Sequence, residues 1–121
     1  MIYIGEQTDN LYNLQEGDLY VYGSTVYVKL DDATGLDIST GCIEIVERWV
    51  SAFGRYKIQW LDEPKETKFH YLSIGTIFAY DDDWYIKTAT NEAINLDWKC
   101  TEEFDSTKEE VTTGDVRIVK Y

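Results

Sequence analysis

A chain that aligns with itself at one fixed offset is built from two like units, and no other feature of this sequence constrains its fold as much. A shift of 58 residues places Leu14 on Leu72, Gly17 on Gly75, Tyr22 on Tyr80, Tyr27 on Tyr85, Lys29 on Lys87, Cys42 on Cys100 and Glu44 on Glu102 without a gap. Conservative pairs fill the intervals: Leu19 with Ile77, Tyr20 with Phe78, Val28 with Ile86, Leu36 with Ile94, Ile38 with Leu96, Ile58 with Val116 and Trp60 with Ile118. The copies span about 14–63 and 72–121, which divides the chain into a first module at 1–63 and a second at 64–121. Units of this size bury only a modest fraction of their surface, so the two are expected to pack together as one body.

Each copy reads as strands. Leu19-Tyr20-Val21-Tyr22 and Val26-Tyr27-Val28-Lys29 flank a short polar connection, Gly23-Ser24-Thr25, in the pattern of a hairpin. Ile77 to Tyr80, Asp81-Asp82-Asp83 and Trp84 to Lys87 repeat it, and Gly17 and Gly75 fall just before the first strand, where a positive φ is expected. A second hairpin is expected from Ile43–Val50 and Tyr56–Trp60 around Phe53-Gly54, with its counterpart at Ile94–Phe104 and Val116–Val119. Ile2-Tyr3-Ile4 resembles the strand that closes a module. Four or five short antiparallel strands per unit lead to an all-β expectation of two tandem SH3-like small barrels or rolls related by pseudo-twofold symmetry, with a single β-sandwich as the alternative. Leu19, Ile77, Tyr27, Tyr85, Ile58 and Ile118 are the expected core.

Charge narrows the partners. A formal net charge of −12, from 23 acidic against 11 basic residues, argues against gripping a phosphate backbone or an anionic membrane, both of which need Lys and Arg. A protein partner with a basic surface is the natural counterpart, and contacts between copies are a further possibility. The opening residues lack a basic segment followed by an apolar one, and no apolar run approaches a membrane span, so a cytoplasmic location is expected. Cys42 and Cys100 are too few for a disulfide framework and are expected to stay reduced and buried.

Catalytic chemistry finds little support. The one histidine, His70, lies at the junction of the copies with no nucleophile at a recognised spacing, and neither a phosphate-binding glycine loop nor a zinc-hydrolase motif occurs. Asp81-Asp82-Asp83 lacks the alternation of a calcium loop, so no metal or other cofactor is expected and the protein is not expected to be an enzyme. What remains is the gathering of acids in loops. Asp81, Asp82, Asp83, Glu102, Glu103 and Asp105 form the expected binding face, because carboxylates on a rigid β scaffold can stand in for the phosphates of a nucleic acid. The second copy carries acids where the first has Ile45 and Val46, which points to the same face. Trp49, Trp60, Trp84 and Trp98 are candidates for a carbohydrate-stacking platform.

The run from Leu72 to Leu96 (leucine, glycine, a strand of alternating aromatics, a short acidic turn, Trp84-Tyr85-Ile86-Lys87, then Ala93-Ile94-Asn95-Leu96) resembles short SH3-like modules of small bacteriophage proteins. The first copy matches it in part, with Gly35-Leu36-Asp37-Ile38 in place of the last four residues. The resemblance implies a phage origin, action inside an infected bacterium and no enzymatic activity. Two functions follow as expectations: inhibition of a host defence or nucleic-acid-binding protein through the acidic loops, as by nucleic-acid mimicry, or a structural role in the virion or its assembly.

Overall fold

The computed structural model describes residues 7–10, 14–31, 34–45, 49–52 and 56–120. Its strands are β1 (Gln7–Asn10), β2 (Leu19–Tyr22), β3 (Thr25–Lys29), β4 (Thr34–Asp37), β5 (Ile43–Ile45), β6 (Trp49–Ala52) and β7 (Tyr56–Trp60) in the first half. The second half has β8 (Lys65–Lys68), β9 (Ile77–Tyr80), β10 (Asp83–Ala89), β11 (Glu92–Asn95), β12 (Cys100–Glu103), β13 (Glu110–Thr113) and β14 (Val116–Lys120), with 3-10 turns at Phe69–Tyr71 and Ser106–Lys108. The chain is all-β. One six-stranded antiparallel sheet runs β1-β6-β2-β3-β4-β5, another runs β8-β13-β9-β10-β11-β12, and β7 with β14 forms a two-stranded ribbon.

Tandem SH3-like barrels are therefore the wrong architecture. Neither six-stranded sheet closes on itself: β1 and β5 stay at the edges of one, β8 and β12 at the edges of the other. The physical reason lies in the last strand of each half. β7 and β14 leave their own sheets and pair with each other, Ile58 opposite Ile118 and Trp60 opposite Val116. The expected hairpin around Phe53-Gly54 is overturned for the same reason, because β6 pairs with β1 and β2 while, among the described residues, β7 pairs across the halves. Residues 53–55 lie outside the described residues, as does Ile2-Tyr3-Ile4. In the second half the expected strand Ile94–Phe104 is itself folded into a hairpin, β11 against β12 with Ile94 opposite Thr101, and Val116–Val119 pairs with β7 instead.

Strands β2, β4 and β9 each lie 58 residues from a counterpart or are one, and the hydrogen bonds follow the same offset. Gly17 donates to the Lys29 carbonyl and Gly75 to that of Lys87; Lys29 donates its main-chain N–H to Asp18 and Lys87 to Thr76; Gly41 donates to Asp37 and Lys99 to Asn95. Gly17 and Gly75 have φ of +87° and +98°. The offset changes downstream. Thr112 and Thr113 of β13 occupy against β9 the places that Ser51 and Ala52 of β6 occupy against β2, a shift of 61, because the Ser106–Lys108 turn lengthens the second half. Across the ribbon the matching residues are Ile58 and Ile118, where a gapless slide sets Ile58 on Val116.

Alternating side chains give each sheet two buried faces. One face of each meets a central core of Leu19, Val21, Val26, Val28 and Leu36 from the first half and Ile77, Ile86, Ile94 and Leu96 from the second, with Ile58 and Ile118 of the ribbon completing it. The opposite faces carry local cores: Tyr20, Tyr27 and Val50 in the first half, and Phe69, Phe78, Tyr85, Ala93, Phe104 and Val111 in the second. The arrangement is sandwich-like, two sheets across one core. All six residues expected in the core are buried. Reciprocal loops seal the seam, since a Cβ at Gly17 would meet Lys99 Cα at 3.2 Å and one at Gly75 would meet Gly41 Cα at 3.4 Å. No helix among the described residues is long and apolar enough to cross a membrane.

Candidate functional site

The six acids do not form one face. Asp81 and Asp82 are the two central residues of the β9–β10 hairpin, at φ of +51° and +68°, the left-handed pair that a type I′ turn requires. Asp83 begins β10 and accepts from Asn95 Nδ2 at 3.1 Å. Glu103 pairs with Glu92 at the far end of the sheet. Six residue steps of β10 lead from Asp83 to Ala89, about 20 Å along the strand.

Between these ends lies a polar network that is structural in character. Glu102 Oε2 accepts from the Tyr85 hydroxyl and from Asn95 Nδ2, each at 3.1 Å, and Lys108 Nζ approaches Oε1 at 3.5 Å. Burial pushes the Glu102 carboxyl up, but the bonds from Asn95 and Tyr85 and the charge of Lys108 outweigh it and hold the group below the ordinary glutamate range. Desolvation and the bond to Glu102 raise the Tyr85 hydroxyl well above its usual value. In the first half the Tyr27 hydroxyl donates to Glu44 at 2.9 Å in the same way. Glu102 thus replaces Glu44 and no apolar residue, and Phe104, which takes the place of Val46, is buried. The expected run of new acids reduces to Glu103 for Ile45, since Asp105 falls on Glu47 at the same offset. Asp105 caps the 3-10 turn, accepting from Thr107 N at 2.9 Å and Thr107 Oγ1 at 2.6 Å.

Two shallow grooves are lined mainly by the second half. One, of about 640 Å³, is lined by His70, Ala89, Thr90, Asn91, Glu92, Glu103 and Asp105. The other, of about 520 Å³, is lined by Trp60, Tyr80, Asp81, Asp82 and Glu110 with Ala79, Val111 and Thr112. Among the described residues no group of three or more His, Cys, Asp or Glu is placed to hold a metal ion. Lys87 is buried, donating to the Phe69 and Leu72 carbonyls at 3.1 and 2.9 Å above the Phe69 ring, and desolvation lowers its pKa. Lys29 donates to the Leu14 carbonyl likewise, so both lysines anchor the loop that enters their sheet.

Cys42 and Cys100 are exposed, against the expectation of burial, because each falls where the chain enters an edge strand. Of the tryptophans, Trp98 is exposed, Trp60 and Trp84 pack against each other at 4.8 Å, and nothing is described of the Trp49 side chain.

Sequence reasoning missed an asymmetry of the surface. Ile43 and Ile45 of edge strand β5 are 61% and 71% exposed, and Ile74, whose carbonyl lies against Gly41, is 39% exposed. Their counterparts at the 58-residue offset are Thr101, Glu103 and Glu16, with Thr101 Oγ1 donating to Glu16 Oε1 at 2.6 Å. At these three positions one side of the molecule is thus apolar where the equivalent side is polar, while the exposed Trp98 stands where the first half has Thr40. The signal was present in the aligned pairs, but only the strand order shows that β5 lies at an edge. No protein-family model matches this chain, nor does any curated protein or solved structure.

Proposed function

We propose that the chain is a non-catalytic structural component of a protein assembly and binds its neighbours through surface strands instead of a cleft. The exchange of Thr101, Glu103 and Glu16 for Ile43, Ile45 and Ile74 carries this reading. Both sides share one backbone plan, so the fold itself does not demand exposed isoleucine, and a contiguous exposed apolar patch commonly marks a protein contact. A bacteriophage virion or its assembly line is the proposed setting, in keeping with the resemblance of Leu72 to Leu96. Photo-crosslinking tests it. Benzoylphenylalanine at position 45 is expected to yield a discrete protein adduct in producing cells, and the same probe at position 103 none; equal yields at the two positions, or none at 45, would sink the reading.

Inhibition of a basic host protein through acidic loops is a second reading, favoured by the groove in which Asp81, Asp82 and Glu110 stand beside Trp60 and Tyr80. Asp83, Glu102 and Asp105 are engaged within the fold, so a fair test neutralises Asp81, Asp82, Glu103 and Glu110 and leaves those three alone. A slower and less salt-sensitive association with the host protein is the expected result.

A further inference from the structure

We infer that β5 is a docking edge for an extended segment of another protein that carries a basic residue between two apolar ones, added to the sheet as an antiparallel strand. The inference rests on the assembly reading and specifies its partner. Asp37 N donates to the Cys42 carbonyl at 2.9 Å, and Leu36 stands opposite Ile43, Gly35 opposite Glu44 and Thr34 opposite Ile45. Antiparallel ladders alternate, so Cys42 and Glu44 turn their main-chain groups toward β4 while Ile43 and Ile45 turn theirs outward. No strand pairs with that side of β5 among the described residues. The edge thus presents two N–H donors and two carbonyl acceptors, a ready template for strand addition.

Side chains on the edge set the chemistry of the occupant. Ile43 and Ile45 share one face, so residues opposite them in an added strand pack apolar against apolar. Glu44 lies on the other face, held by the Tyr27 hydroxyl, and calls for Lys or Arg across from it. A second copy is the wrong occupant. Antiparallel pairing of two β5 strands centred on Glu44 would set carboxylate against carboxylate, between chains that each carry −12. In the second half the same two outward positions are Thr101 and Glu103, a charged edge of the kind that resists pairing.

The probe is a capped peptide, Thr-Thr-Val-Lys-Val-Thr-Thr, titrated into the full chain and followed by amide NMR. The expected result is a shift and slowed exchange of the Ile43 and Ile45 main-chain N–H, with a peptide carrying Glu for Lys binding about tenfold more weakly at low salt. The double variant Ile43→Thr, Ile45→Glu installs residues the equivalent strand already carries, keeps the fold and loses the interaction. Unperturbed Ile43 and Ile45 amides, or equal binding of the Lys and Glu peptides, would overturn the inference. So would a concentration-dependent dimer in sedimentation that the double variant abolishes, since a second copy would then hold the edge. If the peptide fails while position 45 still crosslinks and position 103 does not, strand addition is wrong and the assembly reading stands; failure of both removes both.

Discussion

A hydroxyl and a missing methyl distinguish the two local cores. Tyr20 stacks on Tyr27 with ring centroids 5.3 Å apart, as Phe78 does on Tyr85, but the Tyr20 hydroxyl occupies the space a Cβ would fill at Gly35, where the second half has Ala93. That hydroxyl is buried and has no hydrogen-bond partner among the described residues. Gly35→Ala alone is expected to cost about 1–3 kcal/mol through overpacking. Tyr20→Phe removes an unsatisfied group but opens a gap, and the double variant rebuilds the Phe78–Ala93 pair, so its stability should equal or exceed the wild type. Additive effects in a denaturant double-mutant cycle would reject this coupling. Glu102 supplies a pH-dependent counterpart. Its folded pKa lies below the ordinary 4.5, so its stabilisation is full above that value and is lost as pH falls through the lower folded one. Glu102→Gln should cost about 1–2 kcal/mol at neutral pH, with the gap to wild type narrowing below pH 4.5; a gap independent of pH would mean the carboxylate charge is irrelevant.

Hairpins joined by two residues were legible, and pairings that cross the chain were not. The β2–β3 and β9–β10 hairpins follow from alternating aromatic and β-branched residues around Gly23-Ser24 and Asp81-Asp82, a local pattern. Asp81 and Asp82 sit less comfortably at positive φ than Asn and Gly would, and they repel each other. Asp81→Asn with Asp82→Gly is therefore expected to stabilise the protein by about 1 kcal/mol, read as a higher denaturation midpoint; an unchanged or lower midpoint would contradict the turn assignment. Phe53-Gly54 carries a comparable turn signal, yet the strands beside it part, β6 to its own sheet and β7 to β14. Short apolar strands reveal their faces in sequence but not their neighbours. The identities at the fixed offset are largely explained by the fold: Gly17 and Gly75 by positive φ, Lys29 and Lys87 by loop carbonyls, Tyr27 with Glu44 and Tyr85 with Glu102 by one shared hydrogen bond. Nothing in the structure explains why cysteine stands at both 42 and 100. The acids chosen for gathering in loops are not brought together as one face, because Asp83 and Glu102 are drawn into hydrogen bonds with Asn95 of the neighbouring strand and Asp105 caps the added turn.

Across the whole molecule the halves are held together by what neither can supply alone. The charge of −12 works against compaction, so added salt at neutral pH should raise the unfolding midpoint, and a fall would show that ion pairs such as Lys99–Asp18 outweigh the net repulsion. Against that repulsion stands the central core. Leu19, Val21, Val26, Val28 and Leu36 of the first half are covered by the second half and by the β7–β14 ribbon, and Ile58 and Ile118 meet at the centre of that ribbon. A fragment ending at Asp62, within the exposed run Leu61-Asp62-Glu63, would keep β1 to β7 but expose that face to water and leave β7 without β14, its strand partner among the described residues. Five large aliphatic side chains uncovered at roughly 1.5–3 kcal/mol each exceed the stability of a domain this small. The fragment should accordingly show no cooperative thermal transition by circular dichroism, and neither should residues 63–121 alone. Mixing the two should restore the strand signal and a single transition whose midpoint rises with concentration, as association requires. A first fragment that melts cooperatively by itself would mean that its local core of Tyr20, Tyr27 and Val50 suffices, and that the shared core only docks two finished units.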